Sequence, residues 1–283
     1  VKEAMYYQKL DLEKVQCELC PKRCIIAPDG YGFCHVRKNV KGKLFSEIHG
    51  KITSIALDPI EKKPLYHFHP GEYIISLGTR GCNLACLFCQ NWQISQRYDA
   101  PLKTISIEEV IRQAKKVHSF GIAYTYNEPL VWYEFILQSA KRAHKEGLKN
   151  ILVTNGFINQ EPLNELMPFI DALNIDLKSM DNDFYVKYCS AELEPVLETI
   201  KTAAKSAHLE LTNLIIPGLN DSEENFIKLR DWIFENLGPR IPLHFSRYFP
   251  CHKMKISPTP LETLNKAKAI ASEKLKYVYL GNI

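Results

Sequence analysis

Cys82, Cys86 and Cys89 stand at Cys-x3-Cys-x2-Cys spacing, and three thiolates on one short loop can hold three irons of a [4Fe-4S] cubane. The fourth iron then keeps an open position for a chelating ligand. A structural zinc site needs four ligands, and no Cys or His follows closely after Cys89 to complete one. A second group, Cys17-x2-Cys20-x3-Cys24-x9-Cys34, offers four thiolates among the turn residues Pro21, Pro28, Gly30 and Gly32. Four ligands close a coordination shell. The quartet reads as a structural zinc site, as a second, electron-relaying Fe-S cluster, or as redox or disulfide pairs, and its spacing decides among none of them.

The composition narrows the setting for this chemistry. Of nine cysteines, seven lie in the first third of a 283-residue chain that is 46% hydrophobic and 24% charged. A secreted disulfide scaffold is usually much shorter, so the thiols point to metal in a reducing compartment, and the expected location is the cytoplasm. No apolar run approaches the roughly 18 residues of a membrane span, and no membrane partner is expected. The net charge of +4 comes from Lys and Arg spread along the chain, without the basic stripe of a nucleic-acid binder. Cys189 and Cys251 stand apart from both groups and read as small buried residues.

From about Gly71 onward, short β-rich runs alternate with amphipathic helical segments, the signature of parallel βα units. Strands are expected at Glu72 to Leu77, Gly121 to Tyr126, Asn150 to Thr154, Ala172 to Leu177, Leu209 to Ile216 and Pro242 to Phe245. A last helix, about Leu261 to Leu275, precedes a terminal strand at Tyr277 to Leu280. Ser106 with Glu109 forms a capping box, Pro129 suits a first helical turn, and Gly147 and Gly238 suit helix ends. Six units fall short of eight, so the expected fold is α/β, a partial (β/α)6 TIM-type barrel over residues 71–283 with a cysteine-rich N-terminal module over residues 1–70. In such folds ligands sit at the C-terminal ends of the strands. The polar groups at Cys82 to Cys89, Asn127-Glu128, Thr154-Asn155-Gly156, Asp176-Lys178 and His244 follow strands, and are expected to converge on one mouth.

The triplet, with aromatic Phe88 before its third cysteine and a strand in front of it, resembles the signature of the radical S-adenosylmethionine (SAM) superfamily. The likeness runs over nearly the whole chain and lies nearest the activating-enzyme branch, in particular the radical SAM proteins of the AmmeMemoRadiSam system. Asp58-Pro59-Ile60-Glu61-Lys62-Lys63-Pro64-Leu65-Tyr66-His67-Phe68, Gln90-Asn91-Trp92 and Thr125-Tyr126-Asn127-Glu128-Pro129 carry that likeness. Tyr126 and Asn127 stand where the superfamily usually has two glycines.

The resemblance implies an oxidoreductase-like enzyme with a [4Fe-4S] cluster on Cys82, Cys86 and Cys89. SAM is then cleaved reductively to a 5′-deoxyadenosyl radical that abstracts hydrogen from a substrate. Phe88, Asn127, Glu128 and Asn155 are implied at the SAM site, with Glu128 near the methionyl amino group, Asp176 and Lys178 near its carboxylate, and His244 as a late SAM contact. An electron donor such as ferredoxin or flavodoxin, and partner proteins of the AmmeMemoRadiSam system, are implied as partners. The substrate is not encoded in these parts; a glycyl-radical enzyme and a small molecule both fit. Lys62 and Lys63 are expected to meet an anionic group of that substrate, and His67 and His69 to pack among aromatics. The alternative from another class is a non-catalytic module in which all seven early cysteines bind zinc.

Overall fold

Each β-rich run after residue 72 becomes a parallel strand, and each amphipathic segment covers it. The computed structural model describes residues 1–283. Its main sheet comprises β1 (Ser54–Pro59), β2 (Tyr73–Gly78), β3 (Gly121–Tyr124), β4 (Lys149–Thr154), β5 (Ala172–Asp176), β6 (His208–Ile215), β7 (Leu243–Arg247) and β8 (Val278–Gly281). They lie side by side in chain order, β2 to β8 all parallel. This is the expected partial (β/α)6 barrel, with β8 following the last helix. β1, inside the span expected for the cysteine-rich module, pairs antiparallel with β2, Ser54 opposite Gly78 and Pro59 opposite Tyr73.

The helices form where local signals ask for them. Ser106 Oγ accepts from the Glu109 amide at 3.1 Å and caps α1 (Ile107–Lys116), whose Val110, Ile111 and Ala114 are buried. Such a cap contributes about 1 kcal/mol. Pro129 opens a 3-10 turn, Pro129–Trp132, that leads into α2 (Tyr133–Lys145), and Gly147 follows the end of α2 at φ +75°. Ser222 caps the helix Glu223–Leu237, which Gly238 closes at φ +86°.

The segment between β1 and β2 enters the barrel and fills its lower half. Ile60 and Leu65 are fully buried with Ile74, Ala123, Ile151 and Ala172 from the early parts of β2 to β5. Asn174 Nδ2 donates to the Pro64 carbonyl at 2.8 Å, and Glu210 accepts the His67 amide at 2.7 Å. The seal at this end is therefore apolar packing tied by side-chain hydrogen bonds to backbone.

Ahead of β1, the first fifty residues form two small antiparallel sheets with strands of two to four residues. This layer is anchored on α2, on its leading turn and on the loop after β4. Arg37 forms a buried ion pair with Glu134, Trp132 Nε1 donates to the Ile48 carbonyl at 2.6 Å, and the Asn159 amide donates to Leu19 at 3.1 Å. At Gly81, φ +92°, a Cβ atom would lie 2.8 Å from the Cys34 carbonyl and 2.6 Å from Val36. Only glycine lets the two layers meet so closely.

Candidate functional site

The late halves of the strands surround a cavity of about 510 Å³. Cys82, Cys86 and Cys89 reach it from the loop after β2, with Phe88 between them; Asn127 and Glu128 come from the end of β3, Asn155 from β4, and Asp176 and Lys178 from β5. The expected convergence on one mouth is what the geometry displays for these residues. Thr212, Leu214 and Ser246 complete the wall from β6 and β7, and Lys62 and Lys63 face it from the inserted segment.

The triad loop is held from several sides. Asn127 Oδ1 accepts the Thr79 amide at 3.0 Å while its Nδ2 donates to the Gly81 carbonyl at 2.9 Å, so Asn127 fixes the entry to the loop. The amides of Ala85 and Leu87 donate to the carbonyls of Cys189 and Tyr188, both at 2.9 Å. Buried Phe88 packs on Phe184, ring centres 5.9 Å apart. The thiols meet donors: the Leu84 amide and Asn155 Nδ2 lie 3.3 and 3.6 Å from Cys82 Sγ, and Ser95 Oγ lies 3.1 Å from Cys89 Sγ. Cys189 beside Cys86 holds that buried thiol below its ordinary value. Three thiols on one braced loop, supplied with donors to sulfur, fit a cluster bound through three irons.

Glu128 is fully enclosed. Its Oε1 accepts from Thr154 Oγ1 at 2.6 Å and the Leu130 amide at 2.9 Å, and its Oε2 from the Asn155 amide at 2.8 Å. Burial pushes its carboxyl up to about 7 against these three donors. Across the cavity Lys178 Nζ pairs with Asp176 Oδ2 at 2.8 Å. Burial works to lower the Lys178 ammonium, but Asp176 and the neighbouring thiols hold it well above the usual range. A carboxylate on one wall and a fixed ammonium on another suit a ligand carrying both an amino and a carboxylate group.

Two residues quoted only as parts of motifs gain a place here. Asp58, on β1, receives Lys62 Nζ at 2.8 Å, Lys63 Nζ at 2.7 Å and the Tyr126 hydroxyl at 2.5 Å. Lys63 Nζ also stands 4.6 Å from the centre of the Tyr126 ring. Burial opposes ionisation of Asp58, yet the two lysines and the phenol hold its carboxyl well below the usual range. Tyr126 itself sits at φ +73°, the left-handed conformation natural to the glycine it replaces. That turn ends β3 at Tyr124, two residues before the expected limit.

His244 is the exception among the expected contacts. Its Nε2–H donates to Glu210 Oε2, 2.6 Å away, and its ring stacks on Tyr279 with Tyr66 against its edge. Glu210 also binds His208 and the His67 amide. These groups occupy the early halves of β6 and β7, away from the mouth. Ser246, two residues further along β7, is the inward position that reaches the cavity. His67 lies among Tyr277 and Tyr279, and His69 stacks on Phe120.

Comparison with known proteins agrees with the geometry. Residues 76–233 match the family described as the Radical SAM superfamily. An uncharacterized protein of Methanocaldococcus jannaschii is 46% identical, over 100% of this chain and 86% of its own length. A pyruvate formate-lyase-activating enzyme of Staphylococcus epidermidis is 26% identical over 56% of this chain and 67% of its own. A radical SAM methyltransferase from Sphaerobacter thermophilus shares the fold, with a TM-score of 0.59 and 15% identity over 75% of this chain and 67% of that one.

Proposed function

The chain belongs to the radical SAM superfamily, and on that premise we propose that Cys82, Cys86 and Cys89 hold its [4Fe-4S] cluster while Glu128, Asn155, Asp176 and Lys178 grip SAM. When bound, the cluster and SAM supply a 5′-deoxyadenosyl radical for hydrogen abstraction. The observation that carries the reading is one cavity joining the three thiols to a buried carboxylate and an Asp–Lys pair at successive strand ends.

Each residue has a task that follows from its surroundings. Glu128, ionised on accepting a cationic partner, receives the methionyl ammonium. Lys178, fixed by Asp176, receives the carboxylate. Asn155 divides its amide between Asn83 and Cys82, linking the SAM wall to the triad loop and placing an N–H on sulfur, which tunes a bound cluster. Asn127 and Phe88 hold the loop and close it against water, which a radical site must exclude.

Electrons come from an external reductant. A carrier of the ferredoxin or flavodoxin class fits, because a second cavity reaching Cys82 is lined by Trp92, His252 and Lys253, a face suited to an acidic partner. The nine free thiols support a reducing compartment such as the cytoplasm. No helix is long and apolar enough to cross a membrane. Membership of an enzyme superfamily overturns the non-catalytic zinc module. Activation of a glycyl-radical enzyme is one reading of the substrate, supported by the name of the staphylococcal relative; a small molecule, handled with proteins of the AmmeMemoRadiSam system as partners, is the other.

Anaerobic reconstitution followed by chromatography of the reaction tests the assignment. Reduced protein should convert SAM to 5′-deoxyadenosine and methionine, and Cys86→Ala should bring this to background. Undiminished cleavage by that variant would overturn the site.

A further inference from the structure

We propose that Tyr185 and Asn220 are positioning residues for the SAM carboxylate, acting through Lys178; the inference rests on the assignment of that lysine to the carboxylate. β5 ends at Asp176, so the peptide groups that follow lose their ladder partners and, where buried, need others. Side chains from later elements take the place of the ladder. The Lys178 amide donates to the Tyr185 hydroxyl at 2.9 Å, and the Lys178 carbonyl accepts from Asn220 Nδ2 at 2.7 Å. Lys178 is thus held on both sides of its own Cα.

The clamp continues along the loop. Asn213 Nδ2 donates to the Leu177 carbonyl at 2.7 Å, and Asn225 Oδ1 accepts the Met180 amide at 3.0 Å and the Ser179 hydroxyl at 3.1 Å. Asn220 is itself tied down: its carbonyl accepts from Asn225 Nδ2 at 2.8 Å and its Oδ1 accepts the Ile216 amide at 2.7 Å. Tyr185 and these three asparagines are all buried. Burying a phenol and three amides is costly unless their polar atoms are bonded. A loop that needed no fixed place would run over the surface and leave its backbone to water.

What the clamp fixes is one charge and its separation from the triad. A lysine ammonium on its flexible stem is ordinarily a mobile charge, but here the backbone is held at both ends and Nζ is paired with Asp176 Oδ2 at 2.8 Å. Tyr185 also opens the turn Tyr185–Cys189, and the Tyr188 and Cys189 carbonyls of that turn accept the Leu87 and Ala85 amides of the triad loop. The residue that receives the Lys178 amide therefore begins the turn that braces the three thiols. A ligand that joins the carboxylate grip to the cluster needs the two at one distance, and this shared brace keeps it.

Binding, not turnover, tests the clamp. Anaerobic calorimetry on the reconstituted full chain compares SAM with decarboxylated SAM, which keeps the ammonium and the sulfonium and lacks the carboxylate. The parent should hold SAM about tenfold or more tightly than the decarboxylated compound, as a bond to a charged group implies. Tyr185→Phe removes only the oxygen that receives the Lys178 amide. It should weaken SAM about tenfold and leave the decarboxylated compound within about twofold, at unchanged iron content. Should Tyr185→Phe not fold, Asn220→Ser reads the same ratio from the carbonyl side. A folded variant with a lower melting temperature and the parent's ratio of affinities would make the clamp structural only and overturn the proposal. Equal affinities for the two compounds in the parent would overturn the assignment of Lys178 to the carboxylate, and the proposal with it.

Discussion

Tyr126, held at φ +73°, donates its hydroxyl to Asp58 at 2.5 Å. A bulky residue in this conformation costs about 1–2 kcal/mol, so the edge strand and the cavity wall are tied by a contact that must offset strain. A hydrogen bond to a charged group contributes about 1.5–3 kcal/mol. Tyr126→Phe should therefore lower stability by about 2 kcal/mol, read as a drop in melting temperature. An unchanged melting temperature would mean that the two lysines satisfy Asp58 unaided.

Lys62 and Lys63 share Asp58 but differ in exposure, the Lys63 side chain being 2% exposed and that of Lys62 62%. Removing one partner of a buried pair costs about 3–5 kcal/mol, whereas an exposed pair contributes about 1 kcal/mol or less. Lys63→Ala should unfold at markedly lower urea. Lys62→Ala should keep its stability and uncoupled SAM cleavage and lose product formation from an anionic substrate. Product formation at the parent rate in Lys62→Ala would remove that lysine from the substrate site.

The Glu128 carboxyl, at about 7 against an ordinary 4.5, favours the protonated form in the folded, ligand-free protein. Its contribution is complete below pH 4.5 and is lost as pH rises through 7, on the order of 3 kcal/mol in all. Glu128→Gln cannot titrate, so the stability of the parent relative to it should fall between pH 5 and 8. Parallel urea-denaturation profiles for the two proteins over this range would contradict the assignment of a raised value.

His244 and Glu210 form a closed pair below the cavity. His244→Ala leaves a buried carboxylate with one partner fewer and should cost about 3 kcal/mol, while the affinity for SAM, measured calorimetrically on the reconstituted protein, stays within twofold. A tenfold weaker affinity at unchanged stability would return His244 to the SAM site.

Much of this was legible because it is local. The triad declares itself by spacing, and the six strands and capped helices by periodicity and by Ser106, Ser222, Gly147 and Gly238. β1 was not legible: Ser54-Ile55-Ala56-Leu57-Asp58-Pro59 carries one deeply buried inward charge whose meaning depends on Lys63 and Tyr126, one of them 68 residues away. The strands of the N-terminal layer are too short for any period to appear. His244 misled because strand-end position is a matter of one inward step. Its side chain and that of Ser246 point the same way, and only the packing of Tyr66 and Tyr279 shows which lies in the floor.

The inserted segment from Ile60 to His69 makes the barrel a blind cup. Ile60 and Leu65 close it from beneath, so nothing passes through from one end to the other. SAM and the methionine and nucleoside made from it therefore share the strand-end side of the cavity and do not pass through the floor. In such a vessel arrivals and departures take turns on one side.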